Sequence, residues 1–369
     1  MKCTDDLRIP AEWEETEYIL LTMPEADTDW GYMLEEVRGC YRELILTMTK
    51  AGEHVVLLCK DTDAAADLLR AADSNLLTIV EADYNDTWIR DYGPLTADRQ
   101  GRRRALDFGF NGWGLKFAAD RDNLVNLRLS EKGIINPEAY RNERDFILEG
   151  GSIESDGRGT LLTTSRCLCS PNRNGGKSKS QLNEILRDRL GFDHILWLDY
   201  GALEGDDTDS HIDTLARLAP ADTIIFTGCR DMDDPHFEEL LKMRAQLTMF
   251  RTKCGEPFNL IELPLPSPIY DEEGCRLPAT YANYLVTERN IFIPSYGQPQ
   301  NDMLAAMTVK VAFPGHEIYQ TDCRPLIRQH GSLHCATMQI GRGIRPHPIK
   351  NVDAGVAASG HNWPFGSVT

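Results

Sequence analysis

Apolar strands and amphipathic helices alternate at the start of the chain, and this order restricts the possible folds more than any other feature. From Leu34 to Met48 the apolar residues recur every three or four positions, which predicts a helix with one apolar face. The predicted elements are, in order, a strand at 18–23, a helix at 30–50, a strand at 54–59, a helix at 61–72 and a strand at 76–80. A β-α-β-α-β order is typical of α/β folds.

Similar elements continue along the chain. Short strands with a helix recur roughly every sixty to eighty residues, without an exact repeat, a linker or a low-complexity segment. This rhythm fits radial repetition of one α/β unit. We therefore expect one domain over residues 1–340 and a tail over 341–369, where Pro, Gly and Ser accumulate. Residues 105–117, which hold several aromatics and glycines, are predicted to form a loop that can close over a site.

Composition and charge exclude several classes of function. Apolar residues at 41% and charged residues at 26% are ordinary for a globular protein, and no segment is long and apolar enough to span a bilayer. The chain start lacks the apolar core of a secretory signal, so we expect a cytoplasmic protein whose ten cysteines are mostly free. A net charge of −18 argues against nucleic acid or an anionic membrane as partner and favours a cationic ligand.

The stretch Asp206-Asp207-Thr208-Asp209-Ser210-His211-Ile212-Asp213 combines four carboxylates with one imidazole. It precedes a run at 214–219 that is predicted as part of a strand, and in an extended segment His211 and Asp213 would project to the same side. A base beside a negative charge can serve proton transfer, a metal or a cationic substrate. A solvated acidic turn with an incidental histidine is the alternative.

Three other polar groups follow predicted apolar strands. Asp91 lies in a loop after the strand at 76–80, Glu149 follows Phe146-Ile147-Leu148 and precedes two glycines, and Cys335 lies near the end of the chain. A thiol, an imidazole and carboxylates together suggest covalent catalysis, in which a thiolate attacks an electrophilic carbon. A guanidinium is planar and permanently cationic, so carboxylates can hold it while its carbon is attacked.

Less specific interpretations remain for the same residues. Zinc could be bound by His211, Asp213, Glu149 and Cys335 in a metal-dependent hydrolase, and a non-enzymatic binding platform is a further alternative. Glu149 could be the buried structural partner of an arginine such as Arg90. His334 would face away from Cys335 on a strand and is interpreted as structural, whereas His330 is interpreted as a surface residue.

Six segments together carry a family resemblance. They are Pro10-Ala11-Glu12-Trp13-Glu14, Trp88-Ile89-Arg90-Asp91-Tyr92-Gly93-Pro94, Leu148-Glu149-Gly150-Gly151-Ser152, Asn172-Arg173-Asn174, the acidic stretch at 206–213, and Gly331-Ser332-Leu333-His334-Cys335. In this order they resemble the agmatine deiminase and bacterial-type peptidylarginine deiminase family of guanidino-group-modifying enzymes. The resemblance implies a five-bladed α/β propeller of ββαβ units around a central site, with no metal or organic cofactor.

The resemblance also implies roles for individual residues. Cys335 would be the nucleophile, His211 the general acid and base, and Glu149 would contact the guanidinium or orient His211. Asp91 and Asp213 would bracket the guanidinium nitrogens. The remaining substrate contacts would come from Trp88, Asp207 and Gly331.

The activity implied by the resemblance is hydrolysis of agmatine to N-carbamoylputrescine and ammonia through a thiouronium intermediate on the cysteine. Deimination of free arginine or of a peptidyl arginine is the alternative within the family. The expected partner is a small cationic guanidine, with no nucleic acid and no membrane, and a homodimer is one possible assembly. His330, at the first of three positions where the family usually has glycine, leaves the choice of guanidine open.

Overall fold

The computed structural model describes residues 7–345, which form a mixed α/β structure of five small sheets. Within these residues the strands are β1 (Leu7–Arg8), β2 (Thr16–Thr22), β3 (Val55–Cys59), β4 (Leu77–Glu81), β5 (Leu95–Arg99), β6 (Arg102–Gly109), β7 (Tyr140–Ile147), β8 (Ile153–Ser155), β9 (Thr160–Thr164), β10 (His194–Leu198), β11 (Ala216–Ala219), β12 (Thr223–Thr227), β13 (Asn259–Leu263), β14 (Leu285–Val286), β15 (Asn290–Ser295), β16 (Glu317–Asp322) and β17 (Thr337–Gly341).

The described α-helices include several single turns beside a few longer elements. They are α1 (Leu34–Lys50), α2 (Thr62–Leu68), α3 (Ile89–Tyr92), α4 (Gly112–Leu115), α5 (Asp122–Glu131), α6 (Ser165–Leu168), α7 (Pro171–Asn174), α8 (Lys179–Leu190), α9 (Phe237–Leu247), α10 (Pro299–Ala312) and α11 (Arg324–Ile327). The predicted apolar face of α1 is confirmed, because Val37, Tyr41, Leu44 and Met48 are all buried. None of the helices within residues 7–345 has the length and apolar character needed to cross a membrane.

Each sheet joins an antiparallel pair to a parallel pair. The strand orders are β1-β5-β6-β7, β10-β9-β8, β11-β12-β13, β14-β15-β16 and β17-β2-β3-β4. In the second sheet, for example, β8 and β9 form an antiparallel hairpin, and β10 then adds parallel to β9. A parallel neighbour requires a crossover connection, and here α8 supplies it. The same order of hairpin, helix and parallel strand recurs around α5, α9 and α10.

The last described strand pairs with the second strand of the chain. β17 pairs antiparallel with β2, so that Thr337 lies opposite Leu21 and Ile340 opposite Tyr18. This pairing covers β2 on the side that β3 leaves open. Residues 346–369, most of the predicted tail, lie outside the part of the chain that the structure describes.

The opening β-α-β-α-β order is confirmed in β2, α1, β3, α2 and β4. The prediction of a loop over 105–117 is wrong for its first part, because Ala105 to Gly109 belong to strand β6. All five of these residues are buried, so the alternation that would reveal a half-exposed strand is missing. Asp107, which resembles a loop residue in the sequence, accepts hydrogen bonds inside the fold from Asn126 and Tyr140.

Two predicted extended segments are also wrong. The acidic stretch curls into a turn because the Asp206 carboxylate accepts hydrogen bonds from the backbone N–H groups of Thr208 and Ser210. A 3-10 helix, Ile212–Thr214, follows, and the strand begins only at Ala216. Near the end of the chain, residues 330–336 form turns, so Cys335 precedes β17 instead of lying on a strand.

Candidate active site

A narrow pocket with about 420 Å³ of empty space opens between loops from several sheets. Five predicted site residues line it, namely Trp88, Asp91, Asp207, Gly331 and Cys335. The other three, Glu149, His211 and Asp213, are fully buried next to this lining. The structure therefore brings together residues that lie up to 247 positions apart, from Trp88 to Cys335 (335 − 88).

Gly151 is the point on which the buried polar groups converge. A β-carbon placed on Gly151 would lie 2.7 Å from His211 Nδ1, and 2.9 Å from both Asp213 Oδ2 and Asp91 Oδ1. Real β-carbons do not tolerate such distances, so only glycine allows these side chains to approach one another here. The close approach predicted for the two glycines after Glu149 is present at this position.

Asp91 is held in place by two donors. Its Oδ2 accepts a hydrogen bond of 2.9 Å from Trp113 Nε1, and its Oδ1 accepts one of 2.9 Å from the backbone N–H of Gly151. Burial raises the pKa of Asp91, and the carboxylates of Asp213 and Glu149 act in the same direction against the opposing charge of His211. The sequence suggested Trp113 only as part of a closing loop. In the structure it contacts Asp91, which is proposed to bind the substrate.

His211 is fully buried, and within residues 7–345 neither of its ring nitrogens has a hydrogen-bond partner. Nδ1 lies 3.6 Å from Asp91 Oδ1, and Nε2 lies 3.7 Å from Glu149 Oε2. Burial alone would lower the pKa of His211, but Asp91, Cys167 and Glu149 outweigh it and raise that pKa well above its ordinary value. These neighbours therefore favour the protonated form of the His211 imidazole.

Glu149 is the buried partner of an arginine, but the arginine is Arg173 and the sequence-based suggestion of Arg90 is wrong. Arg173 Nε lies 3.0 Å from Oε1 and 2.8 Å from Oε2 of Glu149. Burial opposes ionisation, yet His211 and Arg173 lower the pKa of Glu149 to about 2. Arg90 instead donates to Glu12 Oε1 at 3.2 Å and to the carbonyl of His334 at 3.3 Å.

Cys167 and Arg173 were not among the predicted site residues. Cys167 Sγ donates to Glu149 Oε2 at 3.6 Å, and burial together with that carboxylate raises the pKa of the thiol to about 11. Arg173 belongs to the Asn172-Arg173-Asn174 segment, so a signal for it was present in the family resemblance. Cys167 lies in a polar stretch with no distinguishing pattern, and only the fold places it beside His211.

Cys335 is buried and is contacted by Asn283. The Asn283 Oδ1 accepts backbone N–H groups of His334 at 3.0 Å and of Cys335 at 3.3 Å, which fixes the orientation of the amide. Its Nδ2 then donates to Cys335 Sγ at 3.3 Å. Burial and the carboxylates of Asp213 and Asp91 raise the pKa of the thiol, whereas the Asn283 hydrogen bond opposes this. Nothing in the sequence pattern distinguished Asn283.

His334 contacts Asp213, and its Nδ1 lies 2.7 Å from Asp213 Oδ2. The other carboxylate oxygen, Oδ1, is buried, and none of the described residues donates to it. Burial disfavours the charge, but His334 and His211 outweigh it, so the pKa of Asp213 is lowered. The expectation that His334 faces away on a strand is wrong, because its segment is a turn that directs the imidazole towards Asp213.

The outer part of the pocket is acidic. Asp29 and Asp86 line it together with Asp207, and His330 lies beside them. Burial, with Asp29 and Asp207 nearby, raises the pKa of Asp86 to about 7. His330 is exposed, as expected, and its Nδ1 lies 2.8 Å from the carbonyl oxygen of Gly205. Its φ of 66° is in the region that favours glycine, which is the residue usual in the family at this position.

Trp88 forms an inner wall of the pocket. A β-carbon on Gly331 would lie 2.5 Å from the Trp88 ring, so the ring packs directly on the backbone there. Trp30 supports Trp88 from the other side with a ring centroid distance of 5.7 Å. These contacts keep an aromatic face at the narrow part of the pocket.

Groups that could hold a metal differ from the set suggested by the sequence. Within residues 7–345, ligand atoms approach within 4.8 Å of one another in two sets, Glu149-Cys167-His211 and Glu12-Glu154-His334. Neither set contains Asp213 or Cys335, so the zinc site composed of those residues with His211 and Glu149 is not formed. Arginines accompany both sets, with Arg173 on Glu149 and Arg217 on Glu12 and Glu154, and their charge disfavours a second cation.

A family profile described as Porphyromonas-type peptidyl-arginine deiminase matches residues 8–341. The chain belongs to this family. The match spans nearly all of the described residues and includes every residue of the site.

Other members of the family are similar over nearly their whole length. An agmatine deiminase of Pseudomonas aeruginosa is 31% identical over 91% of this chain and 95% of its own. A solved structure of a C. jejuni agmatine deiminase with substrate bound is 38% identical, covers 92% of this chain and 97% of its own, and superposes with a TM-score of 0.84. A Porphyromonas gingivalis structure described provisionally as an arginine deiminase is 40% identical, covers 92% and 100%, and has a TM-score of 0.86.

Proposed function

We propose that this member of the deiminase family hydrolyses agmatine to N-carbamoylputrescine and ammonia. The observation that carries the proposal is the charge of the pocket. Four carboxylates line it, those of Asp29, Asp86, Asp91 and Asp207, and its lining within the described residues contains no lysine or arginine. A substrate with a cation at each end fits this distribution.

The guanidinium end would lie between Asp91 and Asp213, above Cys335. Asp213 Oδ1 is buried and has no hydrogen-bond donor among the described residues. This oxygen is therefore available to accept an N–H of the guanidinium. The positive charge of the substrate would also counteract the two carboxylates that raise the pKa of Cys335. Substrate binding thereby favours the thiolate, and the nucleophile forms only when its target is present.

The reaction then follows from the positions of the remaining groups. The thiolate attacks the guanidinium carbon, and His211 donates a proton to one nitrogen, which leaves as ammonia. A thiouronium on Cys335 remains. His211, now neutral, removes a proton from a water that attacks the same carbon. Collapse then breaks the C–S bond and releases the ureido product, the thiolate and the remaining hydroxyl proton, which passes to the released ammonia to give ammonium. Glu149 would hold His211 by its negative charge, and Asn283 would donate to the sulfur throughout.

The distal ammonium of agmatine would lie near Asp207 and Asp86, with Trp88 and Gly331 along the carbon chain. Free arginine would place an α-carboxylate in the same region, where its charge is repelled. Lys116 approaches this loop but is paired with Asp209 at 3.0 Å. The provisional description of the P. gingivalis relative makes arginine the substrate to test beside agmatine.

The same proposal includes the larger arrangement. We propose that the five sheets are the blades of a propeller around the site, and that residues up to 340 form one domain. The recurring order of hairpin, helix and parallel strand supports this arrangement. A cytoplasmic location fits the nine cysteines of the described region, all of which are unpaired. A partner other than the small guanidine is not required by the chemistry, and a homodimer is one assembly to test.

The deciding experiment measures ammonia release from agmatine, arginine and a peptidyl arginine, with and without a chelator. Wild type is compared with Cys335→Ala, and Cys254→Ala, which removes an exposed thiol, is the matched control. We expect turnover of agmatine that resists the chelator, is retained in Cys254→Ala and is lost in Cys335→Ala. Preferred turnover of arginine would keep the chemistry and overturn the substrate, whereas activity in Cys335→Ala would overturn the covalent mechanism.

A further inference from the structure

We infer that Glu12 and His334 are positioning residues that hold Asp213 so that its free oxygen faces the guanidinium. The inference rests on the proposed function for the identity of the substrate group. Its structural basis is a row of three side chains, the half-buried Glu12 and the buried His334 and Asp213, which ends beside the pocket. The row begins at Glu12, near the start of the chain, and includes His334, the residue next to Cys335.

His334 lies between two carboxylates at equal distances. Its Nδ1 is 2.7 Å from Asp213 Oδ2, and its Nε2 is 2.7 Å from Glu12 Oε1. An ionised carboxylate can only accept hydrogen bonds, so at this distance each ring nitrogen must donate. His334 therefore carries a proton on both nitrogens and joins the two carboxylates as a cation.

A second buried histidine, His236, has different hydrogen-bond partners on its two ring nitrogens. His236 Nδ1 lies 2.8 Å from Asp234 Oδ1, but its Nε2 accepts the backbone N–H of Glu204 at 2.7 Å. One nitrogen of His236 must donate and the other must accept, so this ring carries a single proton. The chain thus contains an internal reference for the two protonation states.

Arg217 offers the alternative arrangement for His334. Its Nη2 lies 3.2 Å from His334 Nε2, so a neutral ring could accept a hydrogen bond from the guanidinium there. That arrangement would leave a lone pair of Nε2 facing Glu12 Oε1 at 2.7 Å, which is repulsive. Arg217 Nη2 also donates one of its two N–H groups to Glu12 Oε2 at 2.8 Å, the shorter of its two contacts.

The consequence for Asp213 is geometric. A carboxylate with one oxygen fixed by a charged donor cannot rotate, and its second oxygen keeps one direction. In Asp213 the fixed oxygen is Oδ2, and the second oxygen, Oδ1, is the one left buried and unpartnered. Glu12 itself is held by Arg90 and Arg217, so the row is anchored at its far end.

The first test needs no substitution and no substrate. In wild-type protein labelled with ¹⁵N-histidine, we expect NMR at neutral pH to show protons on both ring nitrogens of His334 and on one nitrogen of His236. Neutron diffraction from wild-type crystals would locate the same hydrogens directly. A His334 ring with an unprotonated Nε2 overturns the inference, whether or not agmatine is the substrate.

The second test asks whether the row acts on the site. Glu12→Gln keeps the shape and one acceptor oxygen but removes the charge. Glu53→Gln is the matched control, because the Glu53 carboxylate accepts hydrogen bonds from Thr287 and Asn290, neither of which lines the pocket. We expect Glu12→Gln to lower kcat/KM for agmatine by about tenfold or more, as partners behind a functional ligand generally do. We also expect weaker agmatine binding to Cys335→Ala when Glu12→Gln is added.

The outcomes separate this inference from the proposed function. If Glu12→Gln lowers only the melting temperature and the folded enzyme keeps its kcat/KM, Glu12 is a structural residue and the inference is wrong. If wild type does not release ammonia from agmatine, the proposed function fails, and the protonation of His334 still decides the inference. If Glu12→Gln does not fold because Arg90 and Arg217 lose their partner, the wild-type measurement decides.

Discussion

Gly151 sets the spacing of the reacting groups, since its α-carbon lies among His211, Asp213 and Asp91. We predict that Gly151→Ala lowers kcat by about a hundredfold or more, because a β-carbon would push these side chains out of the geometry that the reaction needs. Steady-state kinetics with agmatine measures the loss. Circular dichroism is expected to show that the variant is folded.

The matched control for this substitution is Gly39→Ala. Gly39 lies within helix α1, and a β-carbon there would meet nothing within 4 Å. We expect full activity and a gain of about 0.5–1 kcal/mol in the free energy of unfolding, since alanine is the better helix former. Full activity in Gly151→Ala would show that the three side chains are not constrained by this glycine.

We expect the titration of Asp86 to make binding of the distal ammonium of the substrate depend on pH. Its pKa is raised to about 7, so the carboxyl is charged above that pH and neutral below it. We predict that KM for agmatine rises several-fold as the pH falls below about 7, because the distal ammonium loses an attractive charge. Steady-state kinetics across this pH range measures the change.

A monocationic alkylguanidine without the distal ammonium is the control, and its KM is expected to lack this step. Asp86→Asn is expected to raise KM for agmatine at alkaline pH and to remove the step. An identical pH profile for both substrates would assign the titration to the guanidinium end instead.

At the scale of elements, the first residue of helix α5 holds the loop that carries Asp86 and Trp88. Asp122 Oδ1 accepts hydrogen bonds from the backbone N–H groups of Asn85 at 2.7 Å and of Asp86 at 3.3 Å, while its buried Oδ2 has no partner in the part of the chain that the structure describes. Burial, with the charge of Asp86 nearby, raises the pKa of Asp122 to about 8. The loop is therefore held by a carboxyl whose ionisation is disfavoured by burial.

We predict that Asp122→Asn stabilises the protein more as the pH rises. Between about pH 4 and pH 8 the unfolded chain loses the Asp122 proton and the folded chain keeps it, so wild-type stability falls with rising pH. Asparagine keeps the acceptor oxygen and cannot titrate. The gain in unfolding free energy should be larger at pH 8 than at pH 5 by on the order of 4 kcal/mol.

Denaturant unfolding at the two pH values measures this difference. Asp120→Asn, at an exposed neighbour whose carboxylate accepts from Asn85 Nδ2, is the control and should change stability little. Equal gains at both pH values for Asp122→Asn would show that its carboxyl is ionised in the folded protein.

Elements in which apolar residues recur with a clear periodicity, or form a clear run, were predictable from the sequence, and elements without such a pattern were not. The stripe of α1 and the apolar runs of β2 and β3 gave the correct opening order, whereas the fully buried end of β6 was mistaken for a loop. The parts of the site inside family segments, from Asp91 to Cys335, were predictable by resemblance. Asn283 and Cys167 were not, because their roles arise from contacts between distant segments that no local pattern records.

The local structure around the site residues His211 and Asp213 could also be predicted only in part. Sequence alternation suggested that His211 and Asp213 share one side of a strand, but Asp206 closes a turn there and a 3-10 helix follows. The two residues still meet at Gly151. Side-chain hydrogen bonds that compete with extended structure depend on three-dimensional closure and are not visible as a period.

At the scale of the whole molecule, the net charge of −18 adds a long-range attraction to the acidic pocket. We predict that kcat/KM for agmatine falls several-fold between low salt and about 0.3 M salt, while kcat changes little, because salt screens the attraction. Kinetics at a series of ionic strengths measures the slope. A monocationic alkylguanidine should show a smaller decline, and equal slopes for both would rule out charge as the cause.

The pairing of β17 with β2 determines when the enzyme first exists during its own synthesis. The ribosome releases the chain from its N-terminus, and Cys335 emerges only two residues before the strand that completes the sheet β17-β2-β3-β4. A chain that ends before Cys335 lacks the proposed nucleophile and leaves an edge of β2 open, and open strand edges are recognised by chaperones and proteases. If Cys335 is the nucleophile, each active molecule has been translated at least as far as this residue.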